Sequence, residues 1–524
     1  MRRSLSAALA AGALAALTLS ACVPSTPEAG GGGDAERLTI ATTTDVVNFN
    51  PLVGNSRTDS WVTNLMYPHL TQIDAEGQRI PYLATEWGYN EDGTEATVTI
   101  RDDMTWTDGE PVTADDVVFT INAVAEEQFG VVAGLITALE SAEAVSDTEV
   151  RFNLSRPDGT FLDSVGFWMP IVPEHVFSQA ESVQEFANDS DWVSAGPYVL
   201  TEADRGQRYV MERVENFPLA PEGTPAVDEV VFQIYPDVNT EVLALRNGEV
   251  DVIGNVLPPS TAVSLQDAEG IELAQVPSLG WAHLQYNMER EPLDDVRVRR
   301  ALAHSVDYEA IREVALQGFA ESTGGSTLTP TLTEWYDDSI QEYPYDPAEA
   351  RRLLEEAGVT DLSLDMIYDQ ADANISRWAP LVRDSAAEAG ITINLQGLER
   401  NTYISHADER DFDIYAGSWA VMDNPPANFA LAFGTDGFIN YANVSDPELD
   451  ALIQEANEAL TVEEALEPTQ EAARIIHDQV YDNVLYVETF NIAYSSDWTG
   501  FQPVPSELLG IVHPLSLSQV RPAG

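Results

Sequence analysis

The stretch IRDDMTWTDGEPVTADDV, residues 100–117, predicts a strand end, a turn and a helix start in direct succession. Asp108-Gly109 is typical of a tight turn, because glycine accepts the positive φ that such turns need. Thr113 and Asp116 have the spacing of a capping box, in which each side chain binds the backbone of the other residue at a helix start. The stretch therefore predicts a strand joined by a short turn to a capped helix.

Strand and helix patterns continue to alternate outside this stretch. Glu149–Leu154 alternates polar and apolar residues, as a half-buried strand does. Asp346-Pro347 and Asp446-Pro447 each place a capping residue before a proline, and proline suits the first position of a helix. Such a mixture indicates an α/β or an α+β fold.

The composition excludes several classes of function. The chain has 524 residues and a formal net charge of −62, and all 25 of its basic residues are arginine. Nucleic-acid binding depends on basic groups that neutralise phosphates, so such a partner is excluded. Anionic lipid headgroups repel the chain in the same way. The simplest explanation of the acidic composition is that it keeps the protein soluble. The length predicts two or three domains.

Cys22 is the only cysteine, and it follows an apolar run that begins after Arg2 and Arg3. A charged start, a short apolar run and small residues before a cleavage site are typical of a secretory signal. The apolar run from Leu5 to Leu19 is shorter than the roughly 20 residues that span a bilayer. We expect residues 1–21 to be a signal peptide and Cys22 to carry lipid. A buried free cysteine, a signal cut without lipidation and a twin-arginine signal are the alternatives.

Residues 22–36 are predicted to be a lipidated cysteine and a flexible linker. Proline, serine, threonine and four successive glycines cannot bury enough apolar surface to fold. With a single cysteine, an intrachain disulfide is impossible, so the body must be held by its core.

Motifs for enzymatic chemistry are missing from the sequence. A phosphate loop needs a lysine, which the chain lacks, and neither HExxH, paired CxxC nor GxSxG occurs. The seven histidines are scattered. We therefore expect a protein that is not an enzyme, with no catalytic residues, no metal and no cofactor.

Segments in a fixed order resemble the extracytoplasmic solute-binding proteins of family 5, the peptide/nickel/opine group of ABC importers. Residues 100–117 match the signature L-R-x-x-x-x-W-x-D-G-x-P-x-T-A-x-D-V except at Ile100. The other segments that carry the resemblance are IPYLATEW (80–87), VPEHVF (172–177), GPY (196–198), LRNGEVD (245–251), PLDDVRVRRAL (292–302), YDP (345–347) and DFDI (411–414) with Trp419.

The resemblance implies an α/β fold of the periplasmic-binding-protein-like clamshell type, in its large type II variant with three domains and ligand buried between two lobes. Domain I would combine residues 37–66, 193–280 and 488–524. Domain II would be residues 67–192. Domain III, the second lobe, would be residues 281–487.

The resemblance also implies a function. It is that of a monomeric, lipid-anchored receptor on the outer face of the cell membrane, which captures peptides and delivers them to an ABC permease. A non-peptide solute (sugar, opine or metal chelate) and a cell-envelope or glycolipid role are the alternatives. An exported hydrolase is a third.

Candidate ligand residues follow from the same resemblance. Trp419 matches a pocket tryptophan, and in peptide-binding relatives an aspartate three residues later pairs the ammonium of the peptide. Here Met422 stands three residues after Trp419, and the aspartate, Asp423, stands four residues after it. Either it is re-aimed at the ligand or the ammonium site is lost.

Further candidates are chosen by their position in this chain. Arg400, in the stretch before Tyr403, could face the pocket and pair an anionic group. Asn48 and Asn50, just after the first strand, could contribute from the opposite lobe. Asn424 follows Asp423, with Asn428 and Phe429 as weaker candidates.

Overall fold

The computed structural model describes residues 36–53, 56–419 and 422–523. In chain order its strands are β1 (Arg37–Thr42), β2 (Thr71–Ile73), β3 (Arg79–Pro81), β4 (Ala84–Tyr89), β5 (Glu95–Ile100), β6 (Leu139–Ser146), β7 (Glu149–Leu154), β8 (Tyr198–Asp204), β9 (Arg208–Arg213), β10 (Glu229–Ile234), β11 (Val252–Ile253), β12 (Ile271–Pro277), β13 (Trp281–Tyr286), β14 (Ala320–Glu321), β15 (Ser363–Asp369), β16 (Thr392–Leu398), β17 (Ile414–Trp419), β18 (Asn483–Ser495), β19 (Trp498–Thr499) and β20 (Arg521–Pro522). Its α-helices are α1 (Arg57–Asn64), α2 (Ala114–Glu127), α3 (Gly130–Leu135), α4 (Phe161–Trp168), α5 (Glu174–Phe177), α6 (Val238–Asn247), α7 (Pro259–Leu265), α8 (Val296–His304), α9 (Tyr308–Ala310), α10 (Pro347–Ala357), α11 (Ala373–Glu388), α12 (Arg400–Asp408), α13 (Pro425–Ala432), α14 (Pro447–Glu458), α15 (Val462–Asp478) and α16 (Pro514–Leu517).

Two mixed sheets share strand β18. The first sheet has the order β8-β9-β10-β1-β11-β18, with β12 on the other edge of β18. The second has the order β16-β15-β17-β13-β18. Residues 483–486 of β18 pair with β13, and residues 489–495 pair with β12. The chain therefore passes between the sheets at two places, within β18 and between β12 and β13.

We call residues 36–280 and 488–523 the first lobe, and residues 281–487 the second lobe. The first lobe also contains the antiparallel sheet β4-β5-β7-β6, which packs with α2 and α4 around a core that includes Trp106 and Phe152. In the second lobe, α8, α10 and α11 bury Trp378 and their apolar faces against the second sheet. The expected mixed α/β fold is confirmed.

The local predictions are confirmed by the structure. Thr113 and Asp116 form the capping box of α2. The Asp116 carboxylate makes two further contacts. Its Oδ2 accepts a hydrogen bond from Nε1 of Trp106, the tryptophan of the opening stretch, at 3.2 Å, and its Oδ1 accepts one from the Glu174 backbone N–H at 2.8 Å. Asp346 and Asp446 cap α10 and α14, and Glu149–Leu154 is β7. The opening stretch is thus a packing motif.

The three-domain division stays a proposal, since Glu36 onward forms one compact unit. Cys22 and the predicted signal and linker lie outside the described residues, apart from Glu36. Across the described ranges, every helix is too short or too polar to cross a bilayer.

Candidate functional site

A cavity of about 240 Å³ lies at the carboxyl ends of three parallel strands in the second lobe. β15 is parallel to both β16 and β17, so the ends of these strands meet at one edge of the sheet. Asp369 ends β15, Arg400 begins the helix that follows β16, and Trp419 ends β17. In open α/β sheets this edge is where ligands bind. The other lining residues are Asp372, Ile375, Tyr403, Ile404, Ala407, Tyr415, Gly417, Ser418 and Tyr441.

The two charged residues at the ends of β15 and β16 already pair with each other. Arg400 Nη1 lies 3.1 Å from Asp369 Oδ2. The Arg400 side chain is 65 % exposed, whereas that of Asp369 is 7 % exposed. Arg400 therefore stands at the mouth of the cavity, and Asp369 lies inside.

A buried pair of polar side chains supports Trp419 from behind. The His283 ring lies 5.0 Å from the Trp419 ring in an edge-to-face contact, and His283 Nδ1 binds Asp482 Oδ2 at 2.7 Å. Both members of the pair are fully buried. This contact helps to hold the indole in place.

A larger cavity, of about 650 Å³, lies in the first lobe between α1, α4 and the chain near residue 508. Most of its wall is apolar, from residues such as Leu52, Phe129, Phe167 and Trp168, and Arg57, Asn64, His69, Gln72 and Glu507 supply polar atoms. Gln72 is buried, and no described residue forms a hydrogen bond with its Oε1.

We call β18, which belongs to both sheets, the hinge strand, and a polar cluster on it lies between these two cavities. Arg57 pairs with Glu507, both on the first-lobe cavity, and Asp372 lines the second-lobe cavity. Between them, Glu488 of β18 accepts a hydrogen bond from Asn374 Nδ2 at 2.5 Å. Burial, with the nearby charges of Asp372 and Glu507, raises the pKa of the Glu488 carboxyl to about 8. The carboxyl is therefore mostly protonated at neutral pH.

We expect Glu488→Gln to match the wild type in stability near pH 5 and to exceed it near pH 9. Because the pKa of Glu488 in the folded protein is about 8, above its ordinary 4.5, ionisation opposes folding. The wild type therefore loses stability as the pH rises from about 4.5 to about 8, whereas the glutamine variant does not, because its side chain stays neutral. Thermal unfolding at both pH values measures the difference, which should be about 2 °C or more at the higher pH. The exposed Glu86→Gln is the control, and equal melting temperatures of wild type and Glu488→Gln near pH 9 would contradict the expectation.

The two lobes touch through a second polar group, away from the hinge. Arg79 of β3 pairs with Asp423 of the second lobe at 2.5 Å, and its guanidinium lies 4.4 Å from the Phe167 ring centroid. The Asp423 side chain is 2 % exposed. Beside it, Asn424 Nδ2 donates to Asp163 Oδ2 at 2.9 Å.

A backbone contact between the lobes lies near this ion pair. The Gly159 N–H donates to the Asn457 carbonyl at 2.8 Å. A Cβ on Gly159 would fall 1.6 Å from the Ala459 carbonyl oxygen, so the lobes meet with no space for a side chain. The two lobes are thus in direct backbone contact at this point.

The structure brings only some of the predicted ligand residues together. Trp419 and Arg400 line one cavity. Asp423 and Asn424 lie in the contact between the lobes, where their partners are residues of the first lobe. Asn424 also caps α13, and its backbone N–H binds Asn428 Oδ1. Phe429 is buried in the second-lobe core.

The two asparagines predicted for the first lobe hold the chain that follows β1. Asn48 Oδ1 accepts a hydrogen bond from the Asn50 backbone at 2.8 Å. Asn50 is buried, and its Nδ2 donates to the carbonyls of Val183 and Phe186. The next residue, Pro51, is the first of this segment to line the first-lobe cavity.

Sequence reasoning missed Arg79, the hinge cluster of Arg57, Asp372, Glu488 and Glu507, and the polar wall of the first-lobe cavity. No local pattern marks these residues, except that Asp372 has the signature of a helix cap and does cap α11. Among the described residues, no group of three histidine, cysteine or acidic side chains could hold a metal ion.

Comparison of the sequence with known protein families identifies the family of this chain. Residues 78–441 match the bacterial extracellular solute-binding proteins, family 5 Middle. The chain belongs to this family, and its fold is that of the clamshell binding proteins.

Individual relatives cover nearly the whole chain. The dipeptide-binding protein of Escherichia coli K12 is 27 % identical over 500 residues, covering 89 % of this chain and 90 % of the relative. Heme-binding protein A of Haemophilus influenzae is 29 % identical over 464 residues, 82 % of this chain and 81 % of the relative. The crystal structure of the ABC transporter substrate-binding protein CtaP from Listeria monocytogenes superposes with a TM-score of 0.84 at 25 % identity, covering 94 % of this chain and all of that one.

Proposed function

We propose that the protein is a lipid-anchored receptor that captures di- or oligopeptides outside the cytoplasm and delivers them to the permease of an ABC importer. The observation that carries the proposal is a direct contact between two lobes, together with a cavity at the carboxyl ends of β15–β17. Several relatives over most of the chain are named as dipeptide- or di/tripeptide-binding proteins. Family membership and the absence of enzymatic motifs support a binding role without catalysis.

Each part of the cleft has a role in this proposal. Trp419 offers an indole face to a peptide plane, and its Nε1 is buried without a hydrogen-bond partner among the described residues, so a ligand carbonyl would satisfy it. The first-lobe cavity would accept apolar side chains against Phe129, Phe167 and Trp168. Rotation about the hinge would close the lobes over the ligand. The three domains would be residues 37–66 with 193–280 and 488–524, residues 67–192, and residues 281–487.

The test is to identify what the purified protein carries and then what stabilises it. Mass spectrometry of the co-purifying solute should find peptides of many sequences. Adding peptide at about 100 times its Kd should stabilise the protein by roughly 2.7 kcal/mol. Trp419→Ala should weaken that binding, and Phe438→Ala, at an exposed second-lobe aromatic, serves as the matched control. A single non-peptide species, with no stabilisation by peptides, would overturn the peptide assignment.

A second candidate is the same fold with a non-peptide solute. It is favoured by relatives named for other ligands, among them the heme-binding protein above and solved structures titled as complexes with Ni(L-His) and with agropinic acid. The solute found by mass spectrometry decides between the candidates.

The anchor is tested separately, by the replacement Cys22→Ser. The unmodified protein should fractionate with membranes, and the variant should be released into the soluble extracytoplasmic fraction. The same distribution for both would contradict lipid attachment at Cys22.

A further inference from the structure

The second-lobe cavity carries more negative than positive charge. Asp369 and Asp372 line it, and Arg400 is the one basic residue in its described lining. Arg400 pairs with Asp369 and is mostly exposed, so within the described part of the chain the Asp372 carboxylate has no cationic partner. Asp372 Oδ1 accepts hydrogen bonds from the backbone N–H groups of Asn374 and Ile375, and burial raises the pKa of its carboxyl. A cation placed in the cavity would offset this burial cost.

Aromatic rings form much of the cavity wall. The Trp419 and Tyr441 rings are stacked with centroids 6.2 Å apart, and the Tyr415 ring lies 5.2 Å from that of Tyr441. Gly417 makes this arrangement possible, since a Cβ there would fall 2.5 Å from the Tyr415 ring. The faces of indole and phenol rings attract cations by roughly 0.5–2 kcal/mol. Rings and carboxylates together favour a positively charged group.

The size of the cavity limits what can enter. A volume of 240 Å³ corresponds to about eight water molecules at roughly 30 Å³ each. An arginine side chain has about seven non-hydrogen atoms and a lysine side chain about five, so either would fit. The cavity therefore suits one long side chain of a ligand.

We propose that this cavity is a specificity pocket for a cationic group, the ammonium or guanidinium of a lysine- or arginine-containing peptide. The inference rests on the proposed peptide-binding function and adds a charge preference to it. Asp372 supplies the negative charge that attracts the cation, and Trp419 and Tyr441 supply aromatic ring faces. Arg400, at the mouth of the cavity, repels a second cation. An acidic side chain would instead have to separate Arg400 from Asp369 and lie beside two carboxylates.

The test uses tripeptides that differ in one side chain. Calorimetric titration compares alanine tripeptides carrying lysine, arginine, norleucine or glutamate at each position in turn. We expect lysine or arginine at one position to bind at least tenfold more tightly than norleucine, which is about 1.4 kcal/mol, and glutamate to bind most weakly. Added salt should reduce the difference.

Variants of α11 and of the aromatic wall complete the test. Asp372→Asn keeps a good helix cap but removes the charge, and should lower the affinity for the lysine peptide to that for norleucine. Tyr441→Leu should lower it partially. Asp384→Asn, at an exposed site on the same helix, is the matched control. Equal affinities for lysine and norleucine, or tightest binding of glutamate, would overturn the pocket while peptide binding stands. No binding of any peptide would overturn the proposed function, and the pocket with it.

Discussion

Replacing Gly159 by alanine is expected to hold the two lobes apart and to weaken solute binding at least tenfold. The new Cβ would lie 1.6 Å from the Ala459 carbonyl oxygen and 2.7 Å from its carbon, so the closed contact cannot form without movement. These are backbone atoms, which a rotamer change cannot displace. Each lobe keeps its own core, because the collision lies between the lobes. Small-angle scattering should report a larger radius of gyration, and calorimetry with the co-purified solute should report the lost affinity.

Gly88→Ala is the matched control for this experiment. Gly88 lies in β4 of the same lobe, and a Cβ there meets no atom within 4 Å. It should bind solute like the wild type. If Gly159→Ala also kept wild-type affinity and dimensions, closure would not depend on this backbone contact.

The second large effect is expected at Arg79 and Asp423. Arg79→Met should leave Asp423, 2 % exposed, without a counter-charge. Breaking a buried pair in this way costs about 3–5 kcal/mol, unless the lobes open and expose the carboxylate to water. Removing both charges in Arg79→Met with Asp423→Leu should recover much of the loss, because an apolar pair carries no desolvation penalty. Denaturant unfolding of the ligand-free single and double variants measures the coupling, and scattering reports any opening.

An exposed ion pair provides the comparison. Arg37 and Glu229 pair with side chains 59 % and 23 % exposed, so Arg37→Met should cost less than about 1 kcal/mol. Purely additive effects of the Arg79 and Asp423 replacements would show that the pair does not hold the lobes together.

The sequence predicted those parts of the fold that depend on residues close together in the chain. The capping box of Thr113 and Asp116 lies within four residues, and the proline-led starts of α10 and α14 are equally local. Trp419, which the resemblance proposes as a pocket residue, lies at the end of β17 and lines a cavity, and its ligand role stays a prediction.

Contacts between distant residues were out of reach of such patterns. The position of Asp423 after Trp419 left open whether it faces the ligand, and that role stays a prediction. Its described partner, Arg79, is 344 residues away, which no local pattern could indicate. Asn50 was chosen for its place after the first strand, but it binds backbone carbonyls more than 130 residues further on. Spacing along a strand or helix predicts which face a side chain lies on and whether that side chain is buried. The identity of a partner depends on how the lobes pack.

The sharing of β18 has a mechanical consequence. Two bodies joined by two neighbouring strands have, to a first approximation, one soft degree of freedom, a rotation about the line through the two crossings. Such a rotation would move the partners in three contacts at the same time, those of Arg79 with Asp423, of Gly159 with Asn457 and of Arg377 with Ser260, although these contacts lie far apart in the chain. A partner protein that touches both lobes would therefore detect a bound solute through the angle between the lobes, whatever the chemical nature of that solute.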